Sequence, residues 1–315
     1  MASLPIHAID MRKPAGERWA AIARLRGPIQ ELTHQYVRDL GGLGPHRALL
    51  EAFRDAALRD EYIEEIEAIA SYAQLDPLAV LLGNVYYDAF KLAMGCTAFA
   101  LEGAEGPLHA RNLDWWTEQG ALRRHSCVFQ WIGGRTPVEV VSWPGFIGSF
   151  SGVARGRFTL TLNAVLSSEP AQITAPISLQ LREVLLEARD YDEAVATLSG
   201  ATLPADCLLL LTGIDNQQMC VIERTPTRAA LRGPERGVIV ATNDYRSLAE
   251  EEGRGGGELA RTAGGRFEVC GGRARDERPG DVASCMAILN DHGIRMGITV
   301  QQMVLSARRG LLEAC

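Results

Sequence analysis

Residues 94–116 read MGCTAFALEGAEGPLHARNLDWW. A β-type run opens directly after Cys96, the turn-like EGAEGP breaks it, and a second run leads into ARNLDWW. The pattern predicts strands over Thr97–Leu101 and Leu108–Asn112, joined as a hairpin. Arms of similar length bring Arg111 and Asp114 back beside the start of the first strand, next to Cys96. Cysteine is also an ordinary small core residue, so the hairpin alone leaves Cys96 open between packing and chemistry.

Upstream, the first ninety or so residues read as helical. Tyr62, Ile66, Ile69, Ala70 and Ala73 share one helical face, and Pro77 after Asp76 suits a helix start. Downstream the pattern is short strands. Val128–Trp131 and Val138–Val141 flank GGRTP, and Phe158–Leu162 (FTLTL) alternates with a period of two. A helical pair follows, the first through Leu181, Val184, Leu185 and Ala188, the second opening near Asp190 or Asp192. Then come CLLLLTG, QMCVIER, AALRG and VIVATN as strands, and VQQMVLSARRGLLEA as a hairpin turning at Arg308–Gly310. The stretch EEEGRGGG from Glu250 to Gly257 is charged, glycine-rich and without apolar anchors, which predicts a mobile loop. Helix, sheet, helix, sheet in one chain predicts an α+β protein of stacked layers.

The 315 residues, 47% hydrophobic and 23% charged, suffice for one sizeable core. A net charge of −7 without a basic run disfavours nucleic acid and anionic membranes as partners. No apolar run approaches about 18 residues, so stable membrane insertion is not expected. The seven cysteines never fall in a CxxC pair, which argues against both a disulfide framework and structural zinc. The start MASLPIHAIDMRKPAGERW lacks the order of a secretory signal, and no N-x-S/T acceptor occurs. A cytoplasmic protein without metal or cofactor is expected.

Four segments in order resemble the acid ceramidase and N-acylethanolamine acid amidase family, relatives of bile salt hydrolases and penicillin V acylases among the N-terminal-nucleophile hydrolases. They are IDMRKPAGERW, GCTAFALEGAEGPLHARNLDW, GFIGSFSGVARGRFTLTLN (Gly145–Asn163) and VIVATNDY (Val238–Tyr245). The resemblance implies a four-layer αββα sandwich. It further implies self-cleavage between Gly95 and Cys96 into a helical small chain, 1–95, that stays as partner to a catalytic chain, 96–315. Cys96 is then nucleophile, and its freed α-amine is the general base. An α-amine titrating at about 7.7–8.0 suits a thiol near 8.5, so no histidine is needed. Arg111 and Asp114 match the family's residues beside the nucleophile, one favouring thiolate and holding the scissile carbonyl, the other orienting the amine. Asn243 matches its oxyanion-hole residue. The family's second arginine falls at Arg266 or Arg261, with Arg266 preferred because it opens an apolar-containing segment.

The implied substrate is a small acyl amide with a hydrophobic acyl group. Trp143, Phe146 and Phe150, with Trp115 and Trp116, are candidates to wall its pocket or are core aromatics, and Asn163 is a further substrate-binding candidate. Where the lysosomal relatives continue Asn-Glu, this chain has Asn163-Ala164, which puts ceramide specificity and an acidic pH optimum in question. Three other readings stay open: an acyltransferase using the same thioester, a Cys96–His109 hydrolase without self-cleavage, and an inactive lipid-binding homologue.

Overall fold

The computed structural model describes residues 3–90, 94–117, 120–249 and 257–315. Its strands form two sheets. The larger runs, in spatial order, β1 (Ile6–Asp10), β4 (Cys127–Ile132), β5 (Val138–Ser142), β6 (Ser151–Ala154), β7 (Phe158–Ala164), β8 (Cys207–Thr212), β9 (Met219–Arg224) and β10 (Ala229–Arg232). The smaller runs β11 (Val238–Ala241), β2 (Met94–Leu101), β3 (Leu108–Trp115), β12 (Thr299–Ser306) and β13 (Leu311–Ala314). β2 and β12 pack across onto β7. Helices Ile177–Glu187 and Tyr191–Gly200 cover the larger sheet, and Gly257–Glu277 and Val282–Leu289 cover the smaller. The result is an α+β, four-layer αββα sandwich. The helix at Tyr191 starts where Asp190 accepts from the Glu193 N–H at 2.9 Å, so Asp190 rather than Asp192 is the cap.

One expectation changes, one helix is added, and one expectation falls outside the described residues. The first ninety residues are not wholly helical, because β1 lies among them and pairs in parallel with β4, Ile6 opposite Val128. Segment 1–95 therefore contributes an edge strand, and its last residues, Met94 and Gly95, already belong to β2. Second, residues 257–277 form a helix that contains Gly264, Gly265, Gly271 and Gly272. Each glycine weakens a helix by about 1 kcal/mol relative to alanine. The buried face Ala263, Arg266, Cys270 and Ala274, spaced three, four and four, shows that packing holds this helix. Third, the predicted loop at 250–257 lies outside the described residues apart from Gly257, which begins that helix.

The helices Arg26–Asp39, Asp60–Ala73 and Pro77–Phe90 turn Ile29, Leu32, Tyr36, Ile66, Ile69, Val85 and Tyr86 into the same core cluster as Cys96, Trp115, Phe129 and Phe150. The N-terminal segment thereby closes the end of the sandwich where Cys96 lies. Among the described residues no helix is long and apolar enough to cross a membrane. All seven cysteines are free thiols.

Candidate active site

The hairpin register sets the site. Cys96 pairs with Leu113, Gly95 with Asp114 and Ala98 with Arg111. Opposed residues share a face. Cys96, Ala98 and Arg111 thus face the larger sheet, while Gly95, Thr97 and Asp114 face helix Gly257–Glu277. The thiol and the backbone carbonyl of Cys96 are contacted from opposite sides of one sheet.

On the inner side, Arg111 Nη2 lies 3.2 Å from Cys96 Sγ. The same guanidinium donates to Phe150 O at 2.8 Å, to Ser151 Oγ and to Leu162 O. The Cys96 thiol in turn points at Leu162 O, 3.8 Å away. Both side chains are fully buried in the continuous chain.

On the outer side, Arg266 reaches in from the middle of helix Gly257–Glu277. Its Nη1 donates to Cys96 O at 2.5 Å and to Thr97 Oγ1 at 2.9 Å, and its Nη2 donates to Asn243 Oδ1 at 2.8 Å. Arg261 is exposed, so of the two candidates Arg266 is the one in contact with the nucleophile. Burial pulls the pKa of Arg266 below its ordinary value, opposed by Asp114 and Cys96.

Asn243 Oδ1 also accepts the Cys96 N–H at 3.0 Å, while its Nδ2 donates to Ala164 O at 2.7 Å. A peptide N–H and a guanidinium can only donate, and a carbonyl can only accept, so these three partners fix which end of the amide is oxygen. The NH₂ carries two hydrogens and Ala164 O takes one, which leaves one for an oxyanion.

Asp114 is buried, and that burial raises its carboxyl pKa against the opposing pull of Thr299 and the cations Arg266, Arg111 and Arg295. Its Oδ1 accepts from Thr299 at 2.5 Å, and its Oδ2 has no hydrogen-bond partner. Asn163 is buried as well; its Nδ2 donates to Ala241 O at 2.9 Å and Thr242 O at 3.0 Å, leaving Oδ1 without a partner. Buried polar atoms are rarely left so, and both oxygens sit near the nucleophile edge.

The aromatics divide. Trp143, Phe146, Phe150 and Trp115 are buried in one edge-on and tilted cluster, with centroids 5.6 Å apart for Trp115–Trp143 and 5.0 Å for Phe146–Phe150. Tyr86 and Tyr87 of the N-terminal segment lean on Trp115 and Phe150. Trp116, half exposed, stands outside. Among the residues that contact the site, Thr299 and the carbonyls of Leu162 and Phe150 escaped the sequence reading: carbonyls carry no residue signature, and Thr299 lies just ahead of the predicted last hairpin.

His109 is not placed to act on Cys96. It pairs with Ala100, four residues along the strand from Cys96, roughly 13 Å at about 3.3 Å per residue. Its ring is held between Thr159 Oγ1 at 2.8 Å and Thr161 Oγ1 at 2.9 Å. Burial, with help from Arg111, lowers its pKa from 6.5 to about 3, so it is neutral in the fold. The unfolded chain binds that proton more readily, so this histidine's contribution to stability is present above about 6.5 and fades as pH falls toward about 3. A His109→Gln protein is expected to keep self-cleavage and to lose part of the acid sensitivity of its urea midpoint; an uncut His109→Gln chain beside a cut wild type would restore the Cys–His reading.

No protein-family profile matches the chain. Among curated proteins, it is 24% identical over 254 residues to "Acid ceramidase" of Heterocephalus glaber, a match over 70% of this chain and 63% of that protein. It is 25% identical over 247 residues to "N-acylethanolamine-hydrolyzing acid amidase" of Caenorhabditis elegans, over 71% of this chain and 68% of that one. The chain thus spans slightly less than two thirds of the acid ceramidase it matches. Among solved structures, the Caenorhabditis elegans N-acylethanolamine-hydrolyzing acid amidase ortholog superposes with a TM-score of 0.55 at 19% identity, over 69% of this chain and 94% of that chain. In sequence the chain is similar to the acid ceramidases and N-acylethanolamine-hydrolyzing acid amidases, and in fold to the latter.

Proposed function

We propose that the chain cuts itself between Gly95 and Cys96 and then hydrolyses a linear amide with an apolar acyl group through a thioester on Cys96. The observation that carries this reading is the 3.2 Å approach of Arg111 Nη2 to Cys96 Sγ, at a residue whose backbone nitrogen and carbonyl are gripped by Asn243 and Arg266. In self-cleavage Sγ attacks the Gly95 carbonyl carbon, the Gly95–Cys96 bond breaks, and the thiol proton ends on the Cys96 nitrogen. Water then hydrolyses the thioester, leaving a carboxylate on Gly95 and a free thiol and α-amine on Cys96.

In turnover the α-amine takes the thiol proton as Sγ attacks the substrate carbonyl, and returns it to the departing amine. The second Asn243 N–H meets the oxyanion, and Asp114 Oδ2 accepts from the α-amine. Water, deprotonated by the same amine, releases the acid. The relatives' names, an acid ceramidase and an N-acylethanolamine-hydrolyzing acid amidase, point to an N-acyl amide, and the cluster of Trp115, Trp143, Phe146 and Phe150 offers the acyl chain an apolar wall. Ala164 supplies no charge, so the bare Oδ1 of Asn163 is the acceptor for the leaving amine's N–H or hydroxyl. Intact mass measurement tests the reading. Wild type is expected as chains of residues 1–95 and 96–315, and Cys96→Ala as one; an uncut wild type rejects it.

A further inference from the structure

Strand β12 carries a bulge where it pairs with β3. Thr299 is opposite Asp114, but Gln301 is already opposite Leu113, so Val300 is an extra residue. A one-residue slip reverses the face of every side chain, and a bulge re-aims one against its neighbours. Here it sets the Thr299 hydroxyl 2.5 Å from Asp114 Oδ1. The same oxygen lies 2.9 Å from Met296 O and accepts from Met296 N at 3.2 Å.

A hydroxyl has one proton and two lone pairs. With Asp114 ionised, Thr299 donates to Oδ1. With Asp114 protonated at Oδ1, the carboxyl donates to Thr299, whose own proton turns to Met296 O. The pair is satisfied in both states, which an apolar neighbour could not arrange and a fixed donor could do in only one. Asp114 Oδ2 meanwhile has no partner, and the residue directly across the ladder is Gly95, on the acyl side of the bond whose leaving nitrogen is that of Cys96.

We propose that Thr299 is a positioning residue for the reaction: it holds Asp114 by one oxygen in either protonation state and keeps the other bare for the nitrogen of Cys96. The inference rests on the self-cleaving amidase reading. The charged groups acting on Asp114 are Arg111 on its own strand, Arg266 from the covering helix and Arg295 from the turn before β12. All three are cations, so Thr299 is the neutral group that adjusts when Asp114 changes charge. A threonine that only fastened the Met296 turn would affect stability and leave the pH dependence of cleavage alone.

The test follows self-cleavage of the full-length chain by intact mass across pH, for wild type, Thr299→Val and Thr299→Ser. The Asp114 carboxyl is titrated by carbon-13 NMR in uncut Cys96→Ala chains carrying the same substitutions. Losing a donor to the carboxylate raises its pKa, so Thr299→Val is expected to move the Asp114 titration and the acid limb of cleavage upward together by about one pH unit. Near neutral pH its cleavage is expected to slow about tenfold, and Thr299→Ser to restore the rate to within about twofold, since it keeps the hydroxyl. A wild type that splits while Thr299→Val keeps both profiles, or while Thr299→Ser behaves as Thr299→Val, overturns this inference alone. A wild type that never splits overturns the self-cleaving reading and the inference with it.

Discussion

An Arg111→Met protein is expected to stay folded while self-cleavage falls about a thousandfold. Arg111 is fully buried, and among the described residues no carboxylate lies within ion-pairing distance of it. Its acceptors are the carbonyls of Phe150 and Leu162, the Ser151 hydroxyl and the Cys96 sulfur. Holding a cation on neutral dipoles costs several kcal/mol of desolvation. The sulfur becomes its anionic partner only when the thiol ionises, so that cost is offset mainly in the reacting state. Methionine keeps much of the aliphatic volume and removes the charge. The carbonyls it abandons cost about 1–3 kcal/mol each, similar in size to the desolvation relieved. The urea midpoint is therefore expected to change little, whereas removing a donor aimed at developing charge costs about 10²–10³ in rate. Arg111→Lys keeps the charge but cannot span Phe150 O, Leu162 O and Sγ together, so an intermediate rate is expected. Cleavage at the wild-type rate in Arg111→Met would remove the arginine from the mechanism.

The hairpin that places Arg111 was legible because its signals are local: two apolar runs, a turn between them, and a register that follows from arm length. β1 was not, since five residues of IHAID gain their meaning from a parallel partner about 120 positions away. FTLTLN showed its alternation but hid its consequence. Threonines at 159 and 161 suggest the wet face of a half-buried strand, yet every residue of β7 is buried. In four layers the second face meets another sheet, and there Thr159, Thr161 and Asn163 hold His109 and the end of β11. Arg266 came from the resemblance to a family, because five glycines mask the helix that carries it. Thr299 depends on a bulge, which composition does not announce.

The second large effect concerns the joint between the two proposed chains. Glu65 is fully buried in helix Asp60–Ala73 and accepts four hydrogen bonds: Arg182 Nη1 at 2.6 Å and Trp19 Nε1 at 2.8 Å on Oε2, Arg182 Nη2 at 2.7 Å and Arg18 Nη1 at 2.7 Å on Oε1. Trp19, Arg18 and Glu65 precede the proposed cut, whereas Arg182 follows it, on helix Ile177–Glu187. Glu65→Gln leaves Arg182 buried with Ile147 O, 3.1 Å away, and without its carboxylate. Breaking such a pair on one side costs about 3–5 kcal/mol. Replacing both partners, Glu65→Leu with Arg182→Met, removes both buried charges at this joint and is expected to recover much of that loss. Where the penalty appears depends on the cut. In an uncut Cys96→Ala chain the peptide keeps the halves at high effective concentration, so Glu65→Gln lowers only the unfolding midpoint. In the cut protein the same loss falls on association, and gel filtration is expected to show the 1–95 chain separating from 96–315 at dilutions where wild type stays whole. Equal behaviour of the cut and uncut backgrounds would place the tether elsewhere, in the aromatic contacts of Tyr86 and Tyr87 with Trp115 and Phe150.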